Sequence, residues 1–152
     1  MSNPPTAGGA DLRPTVYLTN WTSNKTPGCH GSGRKHTIMV APRRWERGCG
    51  TVEVLVPELD DLRAVQSEAI TVDEYRERYQ RRLASHQGSA LRFLFSVAEH
   101  GRGVKNVEDG DTLCCACSRA EAAAGRCHRA WAAEYLARAG WRVILDGTEV
   151  KP

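Results

Sequence analysis

Apolar positions fall in short runs at the start of the chain, at helical spacing in its middle, and in short runs again at its end. Residues 15–19 (TVYLT), 37–41 (TIMVA) and 51–56 (TVEVLV) are β-rich, and Pro42 and Pro57 close the second and third. Runs this apolar suit strands covered on both faces. Between the first two lies KTPGCHGSGRKH, whose Gly, Pro and Ser content predicts a loop. Residues 58–66 read as a short helix. Thr71-Val-Asp-Glu74 then has the form of a capping box, with Ile70 and Tyr75 placed as a hydrophobic staple. Tyr75, Tyr79 and Leu83 recur every four residues, one stripe of a helix, with Glu74–Arg78 and Glu77–Arg81 as i,i+4 pairs.

Beyond Gly88, the positions Leu91, Leu94, Phe95 and Ala98 predict another helix ending near Gly101. Asp109-Gly110 marks a turn, and residues 111–117 (DTLCCAC) a buried strand. A loop, SRAEAAAGR, leads to a helix over 127–139 that Gly140 stops, and 141–145 (WRVIL) is the last strand. Strand, helix, strand is a βαβ unit, whose two strands run parallel through a right-handed crossover. The order of elements predicts one three-layer α/β domain with a mainly parallel sheet over residues 15–152. Residues 1–14, rich in Pro, Gly and Ala, read as a disordered arm.

Composition narrows the classes. The chain has 152 residues, 41% hydrophobic and 26% charged, which fits a globular domain and excludes global disorder. No run approaches the roughly 18–20 apolar residues of a membrane helix. The N-terminus lacks the apolar core of a signal peptide, so a cytoplasmic location is expected. A net charge of +3 is too small to announce a nucleic-acid binder.

Six cysteines change the picture. Cys29 and Cys49 lie early, while Cys114, Cys115, Cys117 and Cys127 crowd one late segment. In a chain of this size without an export signal, such cysteines are metal ligands, catalytic groups or buried packing. Cys127-His128-Arg129, preceded by Arg126, falls where a loop becomes a helix. The free N–H groups and dipole there stabilise a thiolate or a bound anion. Cys115 ends the preceding strand, at the carboxyl-end rim where α/β proteins bind ligands. Asn20, Trp21 and Ser23 follow the first strand and reach the same rim if it is parallel.

Three other readings compete. Cys114, Cys115 and Cys117 in an apolar strand also suit small core residues. Cys115, Cys117, Cys127 and His128 are four candidate zinc ligands, although the usual C-x2-C knuckle is absent. Cys29, His30, His36 and Cys49 are weaker ones. Gly28-Cys-His-Gly-Ser-Gly33 has the outer spacing of a phosphate-binding Walker loop, but Arg34-Lys35 stands where Lys and then Ser or Thr belong, so a solvated loop is the better reading.

The stretch GDTLCCACSRAEAAAGRCHRAWAAEYLARAGWRVILDG resembles the C-terminal signature of the domain of unknown function 488 family. That signature is an apolar strand ending in a cysteine, a short loop, Cys-His-Arg opening a helix, and a closing strand. VYLTNWTS is similar to the family's opening strand, and EYRERYQRRL to its central helix. The resemblance implies a Rossmann-like fold and carries over to Cys115, Cys127, His128, Arg129 and Ser23. Two positions depart from it. Cys117 replaces an acidic residue, and Val40-Ala41-Pro42-Arg43 replaces an Asp-x-Arg, leaving only Arg43.

The expectation is therefore a small enzyme acting on an anionic, nucleotide- or nucleic-acid-related substrate, with the cofactor, if any, undetermined. Cys127 would be nucleophile or redox thiol, His128 its base, and Cys115 a further catalytic thiol. Arg126, Arg129 and Arg43 would hold the anion, and Asn20 and Ser23 would orient it. A non-catalytic nucleotide- or protein-binding module and a structural zinc site are the alternatives.

Overall fold

The computed structural model describes residues 13–23, 25–40, 42, 50–85 and 107–152. Five strands form one sheet: β1 (Thr15–Asn20), β2 (Lys35–Thr37), β3 (Thr112–Cys115), β4 (Arg142–Leu145) and β5 (Thr148–Val150). Their order is β2-β3-β1-β4-β5. The first four are mutually parallel, and β5 pairs antiparallel with β4. The helices are α1 (Leu59–Gln66), α2 (Val72–Ser85), α3 (Arg119–Ala123) and α4 (His128–Arg138). This is an α/β domain in which β3 and β4, joined through α3 and α4, flank β1. None of the described helices is long and apolar enough to cross a membrane.

Strand periodicity sends alternate residues to opposite faces. In register, Val16 sits beside Val143, Leu18 beside Leu113, and Asn20 beside Cys115. Val16, Leu18, Leu113, Cys115 and Val143 are fully buried and belong to the main core. Trp131, Ala132 and Leu136 of α4 join them, followed outward by Tyr75, Tyr79 and Leu83 of α2. Tyr75 meets Trp131 edge-on, with ring centroids 5.3 Å apart. The opposite face receives the loop after β1, where the Gly31 N–H donates to Thr112 Oγ1 at 3.0 Å. A Cβ at Gly31 would overlap the Gly110 carbonyl oxygen, and one at Gly33 would overlap the Asp111 carboxylate. These loop glycines thus allow close backbone approach at the amino end of β3, the edge away from any phosphate-binding rim.

Several elements differ from the sequence expectation. The run 37–41 leaves the sheet early: pairing stops at Thr37, and Ile38 turns into the core. The run 51–56 contributes one parallel bridge, Thr51 to Thr37, and then winds into a 3-10 turn, Glu53–Leu55. Its carbonyls are taken by helix side chains: Tyr79 Oη donates to Leu55 O at 2.6 Å, and Arg82 Nη2 donates to Val56 O. Backbone engaged this way cannot also ladder with a strand. The expected loop at 118–126 contains α3, which a Ser118–Glu121 capping box starts. Strand β5 was not expected. Asp146 and Gly147, at φ 48° and 89°, form the two-residue turn that a hairpin favours.

The capping box before α2 forms as read, with the Glu74 N–H donating to Thr71 Oγ1 at 3.1 Å. Glu74 is used in that cap, so Arg78 pairs with Asp61 of α1 at 3.0 Å instead of with Glu74. Glu77–Arg81 pairs as expected. The helix read at 91–101, residues 1–12 of the arm read at 1–14, Arg43 and Cys49 lie outside the described residues. The arm's last two residues are ordered against the sheet, Pro14 O accepting from the Arg142 N–H at 2.8 Å and Arg13 pairing with Glu149.

Candidate functional site: three cysteines at the carboxyl-end rim

Parallel strands deliver their following residues to one edge, and here that edge gathers the cysteines. Cys115 is the last residue of β3. Cys127 is the N-cap of α4, its Sγ accepting from the Arg129 N–H at 3.5 Å. The Cys115 and Cys127 sulfurs are 3.3 Å apart and fully buried. Cys117, two residues past the strand, is half-buried. The three sulfurs all lie within 4.8 Å of one another.

Arg129 organises the cluster from the first turn of α4. Its side chain is wholly buried. Nη1 donates to Cys115 Sγ at 3.2 Å, to Cys127 Sγ at 3.6 Å and to the Cys117 carbonyl at 2.8 Å. Nε and Nη2 both reach Asp146 Oδ2, at 3.2 and 2.9 Å. Thr19 Oγ1 in turn donates to Asp146 Oδ1 at 3.0 Å. A buried guanidinium is costly unless its fork is filled. Here one edge grips the carboxylate that follows β4, and the other faces sulfur and carbonyl oxygen. Burial alone would weaken its charge, but the Cys115 sulfur and Asp146 hold it protonated.

The contacts that lower a thiol's pKa converge on Cys115. Hydrogen bonds from the Cys117 and Cys127 thiols, aided by Arg129, hold its pKa well below the ordinary thiol value despite burial. Cys127 moves the other way, because its proton is donated to Cys115 and a second thiolate would lie against the first. Cys117 is likewise pushed up to about 12, chiefly by its hydrogen bond to Cys115. The expected helix-terminus thiolate is therefore disfavoured at Cys127, whose pKa is raised, while that of the strand cysteine beside it is lowered. Cys114 points to the other face, where burial raises its pKa to about 12, and it behaves as packing.

His128 is turned from the thiols. Its Nε2 donates to the Ile38 carbonyl at 2.6 Å, its ring packs edge-on against Tyr79, and burial lowers its pKa. Among the described residues no hydrogen bond joins it to a cysteine. Its expected role as base for Cys127 therefore lacks geometry. The four-ligand zinc set is likewise incomplete: three sulfurs assemble and His128 does not join them. A tetrahedral zinc bound at about 2.3 Å separates its sulfurs by about 3.8 Å. The Cys115–Cys127 gap is shorter than that, and an arginine N–H already occupies both sulfurs.

Asn20 and Ser23 reach the predicted rim. Asn20 is in register with Cys115, and the Trp21 N–H donates to the Cys115 carbonyl at 3.0 Å. The Asn20 side chain serves the chain itself, since its Oδ1 accepts from the Ser23 N–H at 2.6 Å in a local turn. Neither lines the adjoining cleft. That cleft holds about 650 Å³ and lies between the residues after β2, helix α1, the start of α2 and the β3–α4 junction. Met39, Val40, Leu62, Val65, Val72 and Tyr75 give it an apolar wall. Cys117 and His128 open onto it, with Arg126, Glu68 and Glu121 as its charged groups. Arg126 is exposed and available to a ligand, whereas Arg129 is enclosed behind the thiols.

Two participants were not singled out from sequence. Asp146 was missed, although a carboxylate directly after the last parallel strand is a signal for a rim group. The sequence marks Cys117 as a zinc candidate, a core residue or a departure from the family pattern, yet it is the cysteine that meets the cleft. Compared with family models, curated proteins and solved structures, the chain matches none.

Proposed function

We propose that this protein is a small thiol-dependent enzyme whose reactive group is the Cys115 thiolate and whose substrate occupies the adjoining cleft. The observation that carries this reading is the Arg129 guanidinium, fixed by Asp146 and donating to the sulfurs of Cys115 and Cys127. A packed structural cysteine needs no buried cation. A thiolate does. Cys127 holds the thiolate by hydrogen bond, Arg129 stabilises and positions it, and His128 shapes the cleft wall. The apolar lining and the balance of Arg126 against Glu68 and Glu121 favour a substrate with an apolar body and one anionic group. A polyphosphate or nucleic acid suits this cleft less well.

The likeness to the domain of unknown function 488 family belongs to the same proposal. Of the five positions that carry it, Cys115, Cys127 and Arg129 touch one another, while His128 turns to the Ile38 carbonyl and Ser23 lies in the turn after β1. A cytoplasmic setting belongs to it too, because free thiols at this spacing persist in a reducing compartment.

Ultraviolet thiolate absorbance followed against pH tests the proposal without requiring reagent access. One thiolate should be present at neutral pH, with a midpoint below the ordinary value of about 8.5. Cys115→Ser should abolish that signal, and Cys127→Ser should weaken but not remove it. No thiolate in the wild-type protein below pH 8.5 would overturn the reading.

A further inference from the structure

The three thiols differ in burial and in which way they face, and their sulfurs form a triangle with one corner at the cleft. Cys117 lines the cleft, Cys115 and Cys127 are fully buried with their sulfurs 3.3 Å apart, and all three sulfurs lie within 4.8 Å of one another. We propose that Cys115 and Cys127 form a redox pair that reduces a small disulfide bound in the cleft, with Cys117 as the thiol that meets it. This rests on the thiolate reading above and adds the reaction class.

The distances support the pairing. A disulfide bond is 2.03–2.05 Å long, so the two sulfurs need to close by roughly 1.3 Å. Cys115 ends a strand and Cys127 begins a helix, and the α3 segment between them is held by its own capping box and touches the sheet little. The cleft walls are apolar, and a disulfide is an apolar functional group. Arg126 at the mouth suits the carboxylate that small biological disulfides carry.

Exchange proceeds by thiolate attack on sulfur through a mixed disulfide. Cys117 passes its proton to the Cys115 sulfur and attacks R–S–S–R′. A Cys117–S–R bond forms, the S–S bond of the substrate breaks, and R′–S⁻ leaves with the proton relayed by Cys115. The regenerated Cys115 thiolate attacks the Cys117 sulfur and expels R–S⁻, which takes the proton of Cys127. The Cys127 thiolate then attacks Cys115, giving the Cys115–Cys127 disulfide and leaving Cys117 as a thiolate. Two electrons leave the Cys115 and Cys127 sulfurs, and the substrate disulfide becomes two thiols. The two protons come from Cys117 and Cys127. The single negative charge moves from Cys115 to Cys117, and Arg129 stays within reach through the Cys117 carbonyl.

The test uses the full, pre-reduced chain with oxidised glutathione as the probe, followed by acid quench and peptide mapping. The expected product has lost two hydrogens and carries a Cys115–Cys127 cross-link. Cys117→Ser should slow its formation by about tenfold or more, because the thiol that meets the probe is gone. Cys115→Ser should slow the attack, since the acceptor of the Cys117 proton is gone, and any disulfide it forms should join Cys117 to Cys127. Cys29→Ser should react like the wild type. A chain that stays fully reduced, one that accumulates a stable adduct without the cross-link, or Cys117→Ser reacting as fast as wild type would each overturn the proposal. So would one tightly bound zinc ion per chain. If the Cys115 thiolate absorbance persists while no cross-link forms, the redox step fails and the thiolate reading stands. If the thiolate itself is absent, both fall.

Discussion

Arg129 is the residue on which the site's electrostatics turn. Its fork couples three sulfur-bearing residues of one loop to Asp146 across the sheet. Lysine keeps the charge but cannot fill both edges at once. Arg129→Lys should therefore raise the Cys115 midpoint, read as a shift of thiolate absorbance toward the ordinary thiol value. Arg129→Met should do so further and also cost about 3 kcal/mol in urea denaturation, since it strands the Asp146 carboxylate beside a buried gap. A thiolate midpoint unchanged in both variants would mean that the neighbouring thiols alone set it.

Helix α2 is held by two devices of different strength. Its apolar stripe packs on α4, where Leu83 is 1% exposed and Tyr79 2%. Its start is held by the exposed Thr71–Glu74 box. Leu83→Ala should cost about 2–5 kcal/mol, because the hole left behind is lined by a rigid core. Thr71→Ala should cost only about 1 kcal/mol, the usual worth of a cap. Thermal or urea unfolding of the two variants checks the ordering. The same stripe was legible in sequence because period four is a local property, and the capping boxes of α2 and α3 are equally local. Reading the second of these from Ser118-x-x-Glu121 was open to the same reasoning that found the first.

On the scale of the whole molecule, Asp111 joins two segments that are distant in sequence, residues 34–36 and its own turn at 108–111. Its carboxylate accepts from the Arg34 N–H at 2.8 Å, the Glu108 N–H at 2.9 Å and His36 Nε2 at 2.8 Å. Burial pushes its pKa up, but these bonds outweigh burial and hold it below the ordinary value. A carboxyl depressed in the folded state stabilises the fold above the unfolded value of about 3.9, and that contribution is lost as pH falls through the folded value. The protein should therefore weaken below about pH 4. Asp111→Asn should cost about 1–3 kcal/mol at neutral pH and flatten the acid limb. Urea midpoints at neutral and acid pH, wild type against variant, check both statements.

What the sequence determined by itself is local. Apolar runs predict strands at 15–19, 111–117 and 141–145, which the sheet holds as Thr15–Asn20, Thr112–Cys115 and Arg142–Leu145. Periodicity predicts α2, the Gly140 stop predicts the end of α4, and the strand–helix–strand order predicts that β3 and β4 run parallel, while β1 lies between them only in the fold. It also placed Cys115 at a strand end and Cys127 at a helix start, which is enough to put them on one rim. Tertiary structure decided the rest, since it depends on what meets what. Residues 51–56 form a nearly continuous apolar run like a buried strand, yet side chains of α2 claim the Leu55 and Val56 carbonyls. His128 adjoins Cys127 in the chain, but successive residues at a helix start point in different directions, and its ring goes to Ile38. Which thiol is lowered in pKa depends on Arg129 and on the two neighbouring cysteines, which meet Cys115 only in space. A pKa is a sum over neighbours in space, and neighbours in sequence named the residues of the site without assigning their roles.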